Sequence, residues 1–146
     1  MAAETSSSWL LWALLSAAFA TLTAIFAKIG VSETINSDLA TLIRTVVIVG
    51  VLVALVGATG QWQPLESIPR RTWLFLGLSG LATGASWLCY FRALKLGDAA
   101  RVAPIDKLSV VFVAVMGVLF LGERLSGGNW LGVALIAAGS LLVALA

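Results

Sequence analysis

The chain contains no histidine and a single cysteine among its 146 residues. With no imidazole and one thiol, it lacks the groups for a disulfide framework, for the usual zinc-ligand sets and for histidine-based catalysis. Charge is scarce too: nine Lys and Arg stand against seven Asp and Glu, 11% of the residues, for a net +2. These charges are scattered singly rather than gathered into a basic patch, so nucleic acid finds no support as a partner. No nucleophile with a base can be assembled, which places an enzyme last among the function classes. No metal or other cofactor is expected. Cys89 sits in an apolar run and reads as a small packing residue.

What is abundant is apolar surface. Hydrophobic side chains make up 60% of the chain, and the mean hydropathy is +1.04. A soluble domain of this length hides its apolar residues in one core and covers the rest with charge, and so few charged side chains cannot cover it. A bilayer removes that requirement.

A helix rising about 1.5 Å per residue needs about 20 residues to cross the hydrocarbon. Five apolar stretches of that order are present, at about 9–30, 38–57, 72–96, 102–121 and 129–146. Turn-forming residues separate them: Gly30 to Ser37 with Ser32, Glu33 and Asn36; Gly57 to Pro69; Gly97-Asp98; and Gly122 to Gly128. The runs are continuously apolar rather than alternating, which favours helices over barrel strands. The expected fold is therefore all-α and integral to the membrane, a single five-helix domain over residues 1–146. Trp9, Trp12, Trp62, Trp73 and Trp130 fall near span ends, where an indole meets both headgroup and tail. Ala18-Phe19-Ala20 resembles a signal cleavage site, but nothing before Trp9 is basic, Glu4 is acidic and the apolar run continues, so the first stretch is expected to be a true span.

An odd number of spans sets the termini on opposite sides. Arg70, Arg71 and Arg124 then face Lys28, Lys95 and Arg101 across the bilayer, joined by Arg44, Arg92 and Lys107 if those snorkel, a bias from none to about twofold that permits insertion in both orientations. Small residues supply faces for close helix approach: Ser16, Ala20 and Ala24; Gly80 with Gly84; Gly128 with Gly132; and Gly132 with Gly139, about two turns apart on the last span.

Intramembrane ionisable groups are costly and so are candidates for function. Arg44 lies about two turns into the second span, Arg92 about a turn from the end of the third, and Asp106 with Lys107 about a turn into the fourth. Asp106 is the one acid well inside an expected span. It has two readings: a proton or cation site tuned by Arg44 or Lys107, or a helix-start carboxylate, with Pro104 as the kink or first residue of that helix. As neighbours on a helix, Asp106 and Lys107 point about 100° apart and are not expected to pair. On the third span Trp87, Phe91 and Leu94 share a face with Tyr90 beside it. Those rings either pack in the core or stack on flat or cationic solutes.

The run Tyr90-Phe91-Arg92-Ala93-Leu94-Lys95-Leu96-Gly97, followed by Pro104-Ile105-Asp106-Lys107-Leu108-Ser109, Gly122-Glu123-Arg124-Leu125 and Gly132 with Gly139, resembles the EamA-type domain of the drug/metabolite transporter superfamily. It is most similar to short bacterial and archaeal members with one five-helix unit. The resemblance implies one half-unit of an inverted-repeat transporter fold, in the inner membrane of a prokaryote. A second copy, parallel or antiparallel, would complete a homodimer around a central cavity for a small-molecule substrate. It further implies that the first, third and fourth spans line the substrate path, with Trp87, Tyr90 and Asp106 on or near it, and that Gly132 and Gly139 lie near the dimer contact; Phe91, Lys107 and Arg44 are further path candidates by their own chemistry. The implied function is alternating-access transport or efflux of small amphipathic metabolites or drugs. Four-helix multidrug members of the superfamily couple to protons through an acid in the first helix. That helix has none here, which leaves Asp106 as a substitute coupling candidate and facilitated movement without a coupled proton as an equal alternative. Two other readings stay open: a non-transporting membrane partner subunit, and a flippase for a lipid or lipid-linked sugar.

Overall fold

The structure, a computed structural model, describes residues 2–31 and 34–145, with side chains from residue 9 onward. Ser32 and Glu33 of the first joint and Ala146 at the end of the last expected span lie outside the described residues. The helices are α1 (Ala2–Gly30), α2 (Ser37–Ala58), α3 (Arg70–Leu96), α4 (Ala99–Asp106), α5 (Ser109–Phe120) and α6 (Gly127–Leu145). Among the described residues five stretches are long and apolar enough to cross a membrane: Trp9–Gly30, Ser37–Ala58, Arg70–Leu96, Ala99–Phe120 and Gly127–Leu145.

Large apolar side chains point outward along all five. Leu81, Phe120 and Leu142 are 75%, 74% and 70% exposed, whereas the buried apolar residues among those described are Ala27, Val31, Ala40, Phe91 and Leu94. In water such a surface would collapse or aggregate; in hydrocarbon it is already solvated. The five tryptophans near span ends also face outward, as headgroup anchors require.

The chain divides into two compact units. One, residues 29–95, is a helical hairpin. Its α2 starts where the Asn36 Oδ1 accepts the Asp38 N–H at 2.8 Å, satisfying one of the amides a helix start leaves unpaired. It stops at Thr59-Gly60, where Gly60 has a left-handed φ of +64° that side chains disfavour. A 3₁₀ turn at Leu65–Ser67 and Pro69 lead into α3. Thr41 and Thr45 keep their hydroxyls satisfied inside α2 by donating to the carbonyls of Ser37 and Thr41.

The other unit, residues 1–28 and 96–146, holds α1, α4, α5 and α6, with α6 packed against both α4 and α5. The Lys28 Nζ donates to the Gly97 carbonyl at 2.8 Å and ties the end of α1 to the turn before α4. The fourth span is not the single helix expected over 102–121. The Asp98 carbonyl accepts the amides of Arg101 and Val102 and starts the helix at Ala99, earlier than the apolar run suggests. Pro104 is thus inside α4 rather than at its first position, and its missing N–H leaves the Ala100 carbonyl without a helical donor. The ladder then tightens: Leu108 N–H donates to Ile105, and Val110 N–H to Lys107, in three-residue steps that interrupt the span between α4 and α5.

The end of α5 explains one quoted motif. Gly122 takes φ +69°, and the Glu123 N–H returns to the Gly117 carbonyl at 3.1 Å. The Glu123 carboxylate folds onto Gly117, so closely that a Cβ there would stand 2.6 Å from its Oε2. Ser126 then caps α6, its Oγ accepting the Asn129 N–H.

Candidate functional site

In the hairpin, Arg44 projects from α2 toward α3. Its guanidinium carbon stands 4.2 Å from the centroid of the Trp87 ring and 5.5 Å from that of Phe91. Trp87 and Phe91 are one helical turn apart, so a single planar cation reaches both. Phe91 is buried at 3% exposure, while Arg44, Trp87 and Tyr90 are half-buried. The sequence left the rings to core packing or to an incoming solute. Here the cation over Trp87 belongs to the protein.

Arg44 makes neither an ion pair nor a hydrogen bond among the described residues. Magnitudes show what this leaves over. A ring face contributes about 0.5–2 kcal/mol toward a cation, whereas an arginine near the centre of a membrane helix costs about 2.5–3.5 kcal/mol or more. The rings alone do not offset the charge.

Two other cations of the hairpin, Arg92 and Lys95, have polar partners. Arg92 grips Asp38 as a fork, Nε to Oδ1 at 3.2 Å and Nη2 to Oδ2 at 2.9 Å. The Lys95 Nζ donates to the Ile35 carbonyl at 2.7 Å. Both contacts join the start of α2 to the end of α3, and Asp38 is a partner that attention to mid-span acids overlooks. A signal was available: Ile35 and Lys95, like Asp38 and Arg92, are equidistant from Leu65 in the connecting loop. A hairpin folded about that residue brings each pair together.

In the second unit Asp106 and Lys107 flank the break in the fourth span. Asp106 is the last residue of α4, so the reading as a helix-start carboxylate does not hold; the early start at Ala99 moves it to the carbonyl end of α4. It is half-buried, and the Lys107 Nζ lies 3.3 Å from its Oδ2. The pairing departs from the expected divergence although Lys107 keeps right-handed helical torsions (φ −71°, ψ −7°); the reach of the flexible lysine side chain, not a change of backbone, closes the gap. On α6, a Cβ built at Gly132 or Gly139 would meet nothing within 4 Å. That face is open within one copy of the chain. The geometry thus forms an aromatic-backed cation on the hairpin and an acid–base pair at an interrupted span.

Residues 7–145 match the EamA-like transporter family. A Sinorhizobium protein called an uncharacterized transporter in the cobO 3′ region is 75% identical over 139 residues, 95% of this chain and 98% of that protein. A probable 4-amino-4-deoxy-L-arabinose-phosphoundecaprenol flippase subunit ArnE of Aeromonas hydrophila is 35% identical over 84 residues, 57% of this chain and 68% of that protein. Protein RarD of Salmonella typhi is 28% identical over 94 residues, 62% of this chain but 32% of that protein. No solved structure matches.

Proposed function

The chain belongs to the EamA-like transporter family, and from that premise we propose that it is a homodimeric inner-membrane carrier, one half-unit per copy, moving small amphipathic metabolites or drugs by alternating access. The membrane-transporter role itself rests on the family and on the five apolar helices of a prokaryotic integral membrane protein. The observation that carries the finer reading is the interruption of the fourth span beside half-buried Asp106. Interrupted helices in carriers free backbone polar groups near the middle of the bilayer, where a solute or coupling ion can use them. Asp106 is the coupling group, and Trp87, Tyr90, Phe91, Arg44 and Lys107 line the path. A second copy docks through Gly132 and Gly139, whose open face admits close helix approach.

Reconstituted protein tests this directly. Uptake of members of a broad metabolite panel, above that of empty liposomes and with or without a pH gradient, is the expected result; flux equal to empty liposomes throughout overturns the carrier role. The relatives named as flippase subunits favour a second reading, a subunit that moves a phosphoprenol-linked sugar. Purification as a stoichiometric heteromer with no self-association would favour that role over the homodimer.

A further inference from the structure

We propose that Arg44, whose guanidinium stands over the Trp87 ring, is the anchor for an anionic group, carboxylate or phosphoester, on the molecule this protein moves. The inference rests on the transport reading and narrows its substrate to organic anions. Three observations carry it. Arg44 is half-buried about two turns into a membrane-spanning helix. Its neighbours Arg92 and Lys95 are matched by Asp38 and the Ile35 carbonyl, whereas Arg44 makes no ion pair or hydrogen bond among the described residues. Its contacts are with aromatic rings, which leaves guanidinium N–H donors for a ligand.

That geometry selects by charge. An anion can accept two parallel N–H bonds from a guanidinium edge, and the bond strengthens where water is sparse. A cationic solute meets the opposite situation, since the Trp87 face is already occupied by a positive charge. The apolar remainder of such a ligand would rest against the exposed apolar flanks of α2 and α3.

The test uses full-length protein in nanodiscs, with Trp9, Trp12, Trp62, Trp73 and Trp130 replaced by Phe so that Trp87 alone reports. In phosphatidylcholine discs, phenylacetate and octyl phosphate should shift Trp87 emission saturably, while phenylacetamide and 2-phenylethylammonium should not. Arg44→Gln should weaken the anions about tenfold or more, and Arg44→Lys should keep part of the affinity. Saturation by the dissolved anions places the ligand in the aqueous phase. A Trp87 shift on exchanging phosphatidylcholine for phosphatidylglycerol, without solute, identifies a lipid headgroup instead; both assign an anion to Arg44. Equal binding of the amide, preference for the ammonium, no response to any anion or lipid, or unchanged affinity in folded Arg44→Gln each overturns it. Anion binding without flux in liposomes would keep this site and remove the carrier role; solute flux indifferent to Arg44→Gln would do the reverse.

Discussion

Arg92 holds both carboxylate oxygens of Asp38, at 2.9 and 3.2 Å, and so clasps the end of α3 to the start of α2. A two-point fork fixes direction as well as distance. The clasp sets the register in which Arg44 meets Trp87 further along the same two helices.

For this clasp, Asp38→Asn and Arg92→Gln should each lower the melting temperature in detergent, and the double variant should lose less than the two single losses added together. Fully additive losses would mean that the fork contributes no coupling. Because both side chains are partly exposed, 59% for Arg92 and 48% for Asp38, high salt should shrink the effect.

At the interrupted span, Asp106→Asn should abolish any dependence of transport on a proton gradient while the protein still folds and elutes as the wild type does. Lys107→Ala removes the pairing cation and should retain coupling. Uptake assayed at matched expression, with and without an imposed gradient, separates these outcomes. Loss of folded Asp106→Asn protein would assign the carboxylate to structure.

The turn after α5 should distinguish two glycines. Gly122→Ala forces a side chain into a left-handed conformation and should cost about 1–2 kcal/mol. Gly117→Ala meets only the end of the flexible Glu123 side chain, which can swing away, so its cost should be smaller. Thermal unfolding of both variants in one detergent gives the order, and an inverted order would contradict the assigned geometry.

For assembly, Gly132→Leu and Gly139→Leu should weaken self-association without unfolding the monomer, since a Cβ at either position meets nothing within one copy. Single-molecule counting in bilayers measures it. Unchanged oligomer size in both variants would refute this face as the contact.

Much of this architecture is legible in the sequence because bilayer physics constrains it so strongly. The boundaries Ser37–Ala58 and Arg70–Leu96 lie within two residues of those given by the apolar runs, since few residue types survive in hydrocarbon. The fourth span is less legible. Hydropathy sees one run and does not register that Asp98 starts the helix early or that Pro104 withholds an amide before the break. Pairings are less legible still: Trp87 and Arg44 each stand out as candidates, but their stacking depends on the hairpin folding about Leu65. Adjacent Asp106 and Lys107 pair through the reach of the lysine side chain, which the angular separation of neighbouring helix positions does not capture.

Alternating access makes the most exposed claim, and counterflow measures it most directly. Proteoliposomes preloaded with an unlabelled transported solute should take up the labelled solute transiently above its equilibrium level, because one site faces each side in turn. Uptake that rises only to equilibrium, at a rate indifferent to the solute inside, would mean an open pore or a leak and would contradict the mechanism.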